Sequence, residues 1–270
     1  MEKFKETFKK IMPEAVVNHI RNEKDVLQRL PQDINAATDP IRRDTIRNIK
    51  KLHNKHQGER CFVIGNGPSL QNTDMTKLRN EYTFGLNRIY LMFEELGFST
   101  SYFVSINDLV IEQSAAEIQA LNIPKFVSWR SRIWLKPQDD LYFLYTTYTG
   151  PKFARNATGR LWEGATVTYA ALQLAYYFGF SEVILIGVDH NFATKGKPNT
   201  TITSEGDDPN HFNPKYFGKG FRWQLPDLET SEIAYKMARH AFEADGRNVV
   251  DATVGGKLTV FPKVNYGSLF

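Results

Sequence analysis

The sequence predicts an α/β protein built on a doubly wound, mostly parallel, Rossmann-like sheet, preceded by a helical N-terminal arm. Three observations lead there. From residue 60 onward, short runs rich in β-branched and aromatic residues alternate with helical stretches of about 10–15 residues, the pattern of successive βαβ units. Several of those runs stop at a glycine, asparagine or aspartate, as strands do where a loop leaves the carboxyl edge of such a sheet. Upstream, residues 1–57 carry helical periodicity and no strand pattern.

In the arm, Phe4, Phe8, Ile11 and Met12 recur at i, i+4, i+7 and i+8, one apolar stripe among lysines, which Pro13 interrupts. Asp39-Pro40 reads as an N-cap followed by proline at the first helical position, and Ile41, Ile46, Ile49 and Leu52 continue that helix. The first strand is expected at 60–64, followed by a short helix through 75–78. Further strands are expected at 82–86, ending at Asn87, and at 101–106, ending at Asn107-Asp108. A helix through 111–120 leads to a strand at 125–129, and 141–146 is a further strand candidate. Glu163-Gly164-Ala165-Thr166 opens a long apolar helix to about 178, and 182–186 is a strand ending in Gly187-Val188-Asp189. A polar segment rich in Gly, Pro and Asn covers about 190–226; it exceeds what a compact domain leaves unstructured and reads as a lid. A helix at 229–244 and a short strand at 248–249 complete the body, so that 58–270 forms the catalytic domain behind the arm.

Composition narrows the function classes. With 41% hydrophobic and 24% charged residues the chain is an ordinary globular protein, and no apolar run approaches the length of a spanning helix. The charged opening MEKFKETFKK reads as no secretory signal, and the lone Cys61 sits inside an expected strand, so the expected setting is the reducing cytoplasm. Residues 1–57 hold thirteen Lys or Arg against eight Asp or Glu, whereas the remainder holds 21 against 22. The excess positive charge therefore lies in the arm, which argues against a nucleic-acid-binding body. Packing of the arm on the body or on another subunit of a homo-oligomer is one reading; peripheral contact with an anionic membrane, at its inner face, is the other.

The polar strand ends carry the chemistry. Asn66, Asn87, Asn107 and Asp189 all fall where ligands bind in open parallel sheets, although asparagine and aspartate also favour turns for their own sake. Gly65 and Gly67 allow close backbone approach, and Ser69 with the amides that follow offers donors to an anion. Leu70 stands where a dinucleotide fingerprint needs its third glycine, and no Gly-Lys-Ser/Thr is present, so neither common nucleotide motif fits.

The same residues carry a resemblance. "VIGNGPSL" resembles the N-terminal motif of the bacterial sialyltransferases of glycosyltransferase family 42, "TFGLNRIYL" and "YFVSINDLVIEQ" are similar to that family's nucleotide-contacting segments, and "GATVTYAALQLAYYFGFSEVILIGVDHNF" to the unit closing its nucleotide pocket. With "NKHQGERCFVIGNGPSL" and the ending "DATVGGKLTVFPKVNY", the whole-chain pattern is more similar still to a related family, the 6-hydroxymethylpterin diphosphokinase MptE-like proteins, related in turn to the Maf flagellin glycosyltransferases. The resemblance implies the sialyltransferase variant of the Rossmann-like fold and nucleotide binding, specifically of CMP, by Gly65, Asn66, Gly67, Pro68, Ser69, Asn87, Asn107 and Thr166. Where the sialyltransferases place two tyrosines to steady the leaving phosphate, this chain has His190, Asn191 and Phe192. The lid segment "DDPNHFNPKYFGKGFRW" offers His211 as the base, with Tyr216, Lys219 and Arg222 close behind.

A base for the acceptor hydroxyl and donors for the departing phosphate are what displacement of a nucleoside phosphate requires, independently of any family. His211 fits the first role, and Tyr216 or Arg222 the second; Asp189 with His190 is an alternative acid/base pair. Arg130 and Arg132 could meet a carboxylate or phosphate but read first as surface residues, and Asp207-Asp208 as solvated carboxylates. The leading expectation is a glycosyltransferase moving a sugar, sialic acid or another nonulosonic acid, from a CMP-activated donor to a glycan or lipid-linked acceptor, with no metal and no cofactor. The alternative is a pyrophosphoryl transferase of the 6-hydroxymethyl-dihydropterin diphosphokinase type, using ATP and Mg²⁺ held by Asp189 with Asp207 or Asp208. A non-catalytic nucleotide- or glycan-binding module is the third.

Overall fold

The structure is a computed structural model describing residues 23, 24, 27, 30, 31 and 34–270. The stripe expected of Phe4, Phe8, Ile11 and Met12 lies outside the described residues. By its contacts the chain divides into two compact units, Met1–Arg43 and Asp44–Phe270. Helix α1 is Pro40–Lys50, and at its start the Asp39 carboxylate accepts the Ile41 N–H at 2.8 Å, the cap that the Asp-Pro pair foretells.

In the larger unit, β1 (Arg60–Ile64), β2 (Tyr82–Leu86), β3 (Tyr102–Ser105), β4 (Lys125–Ser128), β5 (Leu141–Thr147), β6 (Arg160–Trp162), β7 (Glu182–Ile186) and β10 (Asn248–Asp251) form one eight-stranded sheet in the order β10-β7-β1-β2-β3-β4-β5-β6. Every pair in it is parallel. Both faces are covered, which is why the strands read as continuous apolar runs. Cys61 and Val63 pack into one layer with Phe84, Leu86 and Val104, while Phe62 and Ile64 pack into the other with Leu70, Ile184 and Ile186.

The helices after β2 and β3 are short: α2 (Phe93–Leu96), α3 (Asp108–Gln113) and α4 (Ala115–Ala120). One helix was expected over 111–120; instead Asn107 starts it three residues earlier, and a non-helical Ser114 (φ −123°, ψ 24°) breaks it in two. Helix α5 (Val167–Phe178) is different. Residues from Thr168 to Phe178 are all buried, because the helix lies against β1, β2 and β3 on one side and α6 (Leu228–Ala244) on the other. Thr166 caps its first turn and Gly179, at φ 95°, ends it.

The topology fixes the site. From β1 the chain steps outward through β2 to β6, then α5 carries it back to β7 on the opposite side of β1. Loops leaving β1 and β7 therefore diverge, making the crevice in which open α/β sheets bind ligands. The polar segment at 190–226 leaves from the end of β7 and contains an antiparallel pair, β8 (Thr201–Thr203) and β9 (Arg222–Gln224), which the sequence did not announce. Among the described residues no helix is long and apolar enough to cross a membrane.

Candidate functional site

A cavity of about 720 Å³ opens at the carboxyl edge of the sheet. Eight of the expected residues line it: Gly65, Asn66 and Gly67 after β1, Asn87 after β2, Asn107 after β3, Thr166 at the start of α5, Asp189 after β7, and His211 from the polar segment. Pro68, Ser69, Tyr216 and Arg222 are not among its lining residues.

The glycine turn is held by contact with the end of β7. Gly67 has φ −67° and ψ 159°, which any residue adopts, so its requirement is space rather than conformation. A Cβ on Gly65 would overlap the Gly187 carbonyl, and one on Gly67 would overlap the Asp189 carboxylate and stand 2.9 Å from the Gly187 oxygen. That closeness lets Gly65 N–H donate to Ile186 O (2.8 Å) and Gly67 N–H to Gly187 O (2.9 Å). Asp189 completes the closure: its Oδ1 accepts the Ser69 N–H (3.1 Å) and its Oδ2 the Ser69 hydroxyl (2.7 Å). Burial raises the Asp189 carboxyl above its ordinary range, with the two Ser69 bonds holding it back. Ser69 and Asp189 thus serve the shape of the turn.

The strand-end asparagines differ in what they have left to offer. Asn107 caps α3, its Oδ1 accepting from Leu109 and Val110 N–H at 3.0 and 3.3 Å. Asn87, in left-handed backbone (φ 48°), accepts the Ser105 hydroxyl on its Oδ1 at 3.0 Å. In each the oxygen is engaged, which keeps the amide N–H groups for another partner. Asn66 is the reverse case: its Oδ1 is buried with no hydrogen-bond partner, a costly state that a ligand's N–H or O–H relieves. Left-handed backbone gathers at the same rim, at Asn87, Gly164 (φ 54°), Ala165 (φ 57°) and His190 (φ 53°), as it does where function over-determines conformation.

His211 is held from two sides. Its Nδ1 meets Asp208 Oδ2 at 2.7 Å, and its ring stacks on Tyr216 with centroids 4.0 Å apart and planes within 9°. An ionised Asp208 accepts from Nδ1–H, leaving Nε2 as the acceptor of a proton. Asp208, expected to be solvated, has only 2% of its side chain exposed, and its other oxygen accepts the Asn210 N–H at 2.8 Å. The Tyr216 hydroxyl, expected beside the leaving group, is fully buried and accepts the Arg88 N–H at 3.3 Å. Burial pushes that hydroxyl up, far from ionising. Arg222 lies on the surface, paired with Glu112 at 2.8 Å, and Lys219 is exposed.

Tyr148 and Glu163 were missed by reading the sequence, and both meet Arg130. Arg130 is not a free surface residue: its Nε meets Asp108 Oδ2 at 2.7 Å, its Nη1 the Thr146 hydroxyl at 3.1 Å, and its Nη2 both Glu163 Oε1 (2.7 Å) and the Tyr148 hydroxyl (3.0 Å). Asp108, Tyr148 and Glu163 line the far end of the cavity. His190 also lines it, with Nε2 at 3.1 Å from Glu232. A polar residue just past each strand end was the available signal, read for Asn66, Asn87 and Asn107 but passed over for Tyr148 and Glu163. Among the described residues lining the cavity there is no lysine or arginine, and among all described residues no group of three His, Cys, Asp or Glu is placed to hold a metal. The carboxylates expected to hold Mg²⁺ are otherwise engaged: Asp189 by Ser69, Asp208 by His211 and Asn210, while Asp207 is exposed away from the lining.

A family model described as 6-hydroxymethylpterin diphosphokinase MptE-like matches residues 39–195, more than half of the chain. No curated protein matches. Among solved structures, the MAf glycosyltransferase from Magnetospirillum magneticum AMB-1 is similar at 14% identity and TM-score 0.49, over 85% of this chain and 39% of that one. The present chain thus spans well under half the length of that protein.

Proposed function

The chain belongs to the 6-hydroxymethylpterin diphosphokinase MptE-like family, and we propose that it is a glycosyltransferase taking a sugar from a CMP-activated donor, a nonulosonic acid such as sialic acid, to a glycan or lipid-linked acceptor. The observation that carries this is the lining of the cavity: strand-end carboxamides and a carboxylate-held histidine, with no lysine or arginine among the described lining residues. A donor joined through one nucleoside phosphate brings a single phosphate charge, which the amides at the start of α5, with its neutral Thr166 cap, suit. A triphosphate brings several more and calls for cations that this lining lacks.

The roles then follow from geometry. Asn87 and Asn107 offer amide donors to the acceptor atoms of the nucleoside, and Asn66 Oδ1 takes one of its donors. His211, with Nδ1–H given to Asp208, accepts the proton of the attacking hydroxyl at Nε2, while the sugar–phosphate bond breaks and its electrons leave with CMP. His190 is the lining side chain best suited to meet the departing phosphate, as Tyr216 and Arg222 stand off the cavity. No metal or cofactor is required in this scheme. Cytoplasmic residence, contact of the basic arm with the inner face of a membrane, and homo-oligomerisation accompany the proposal.

The family description favours a second reading, pyrophosphoryl transfer from ATP with Mg²⁺. Calorimetric titration of CMP, UMP, AMP, GMP and ATP, the last with and without Mg²⁺, separates the two. Preference for CMP is the expected outcome; an ATP preference that depends on Mg²⁺ replaces the proposal with the second reading.

A further inference from the structure

Asn66, Asn87 and Asn107 follow three adjacent strands, so the nucleotide assigned to them spans two strand spacings, about 10 Å. The cavity does not end there. It continues past Asn107 to Asp108, to Tyr148 at the end of β5 and to Glu163 at the end of β6. From these residues we propose that this far end is a subsite for a neutral polyhydroxylated ring, a sugar unit of the substrate, with the Tyr148 ring as platform and Glu163 and Asp108 as hydroxyl acceptors. This inference rests on the glycosyltransferase reading above.

The state of Glu163 carries it. The side chain is 92% buried, and both hydrogen bonds it accepts, from Arg130 and from the Thr146 hydroxyl at 2.6 Å, arrive at Oε1. Oε2 is left for the cavity that Glu163 lines. A carboxylate oxygen facing the cavity accepts a substrate hydroxyl in a charge-assisted hydrogen bond. Arg130 has little left to give: Asp108, Thr146, Tyr148 and Glu163 take four of the five N–H groups a guanidinium has. Two carboxylates against one arginine leave this end short of positive charge, so it disfavours phosphate and suits hydroxyl donors.

Tyr148 supplies the other half of a sugar site. It lines the cavity with 61% of its surface exposed, unusual for an aromatic residue at a pocket wall. Its position is fixed by the Arg130 bond to its hydroxyl and by the guanidinium lying 4.7 Å from the ring centroid. A rigid exposed aromatic face packs against the C–H face of a sugar ring while adjacent carboxylates take the hydroxyls at its edge. A nonulosonic acid carries a carboxylate, which this end disfavours, so the ring is one of the acceptor glycan.

The test is calorimetry on the full chain with Tyr148→Ala and Glu163→Gln, neither of which touches the glycine turn. Ligands are CMP, CMP-N-acetylneuraminic acid, and a panel of methyl glycosides titrated with and without CMP present. Both variants are expected to bind CMP within twofold of the wild type and to lose tenfold or more in affinity for a sugar-bearing ligand. Loss confined to a methyl glycoside assigns the subsite to the acceptor; loss confined to CMP-N-acetylneuraminic acid, whose sugar carries a carboxylate, overturns the neutral-ring assignment. Unchanged sugar affinities in both variants overturn the inference, as does a wild type that binds no methyl glycoside and CMP-N-acetylneuraminic acid no better than CMP. Failure of the nucleotide reading looks different: CMP does not bind, while Tyr148-dependent binding of a methyl glycoside persists without it.

Discussion

The glycine turn after β1 and the polar segment carrying His211 face the same cavity, and they are held by different means. The turn is closed by backbone contact: there is no room for a side chain at Gly65 or Gly67, and a carboxylate from the next strand clamps Ser69. The lid has its own backbone pairing in β8 and β9, and side chains hold the rest of it. Asn210 Oδ1 accepts the Ala193 N–H (2.8 Å), Gln71 donates to the Phe212 carbonyl (2.7 Å), and Tyr216 lies flat beneath His211. The one backbone bond between the two regions, Phe212 N–H to Asn66 O at 2.9 Å, ties the lid to the turn it covers. A carboxylate occurs in each, Asp189 and Asp208, with opposite uses. Asp189 shapes a backbone, whereas Asp208 orients the His211 ring. In the proposed reaction, chemistry therefore belongs to the polar segment and shape to the glycine turn.

The largest expected effect lies in the lid. His211→Gln lowers CMP release from CMP-N-acetylneuraminic acid by about 10²–10⁴-fold, the range for loss of a general base. Asp208→Asn, which keeps an oxygen for the Asn210 N–H, lowers it by about 10–100-fold, the range for a partner that orients a functional histidine. Neither changes the CMP affinity. If Asp208→Asn weakens CMP binding and leaves turnover intact, the division between shape and chemistry fails.

Next in size is the response of the two regions to an added methyl group. Gly67→Ala forces a Cβ into the Asp189 carboxylate and is expected to cost about 1–3 kcal/mol in urea unfolding, with CMP affinity falling too. At Gly206, in the lid, a Cβ meets nothing within 4 Å, so Gly206→Ala should stay within about 0.5 kcal/mol of the wild type. Equal losses at the two positions would mean that the lid is as closely packed as the turn.

Legibility in the sequence follows the same division. The strand ends and the Asp39 cap were readable because they depend on neighbours along the chain, and all three asparagines line one cavity. Strand β6 was not, since three residues owe their conformation to pairing with β5. Asp208 and Asp207 look alike in sequence; burial of one and exposure of the other is a tertiary outcome. Tyr216 drew notice for its hydroxyl, yet the fold uses its ring. The Arg130 cluster draws its partners from 16 to 33 residues away, beyond any local pattern. Gly65 and Gly67 were readable as necessary, and the close approach they permit within the protein is that of Gly187 and Asp189.

The smallest effect is the pH response of the Asp189 clamp. Its carboxyl is raised from the ordinary 3.8, chiefly by burial, so the folded protein holds that proton more readily than the unfolded chain. Between the unfolded value and the raised folded one, the folded state binds more protons, and this group's contribution to stability falls as pH rises through that window. Below it both states are protonated and above it both are ionised, so the change is confined there. Asp189→Asn keeps a carbonyl oxygen for the Ser69 N–H but does not titrate. Urea unfolding at a series of pH values from 3.5 upward should therefore give a wild type that loses more stability with rising pH than the variant does. A wild type that loses less would mean that hydrogen bonds from Ser69 outweigh burial, and that the turn is clamped by a charge the fold favours.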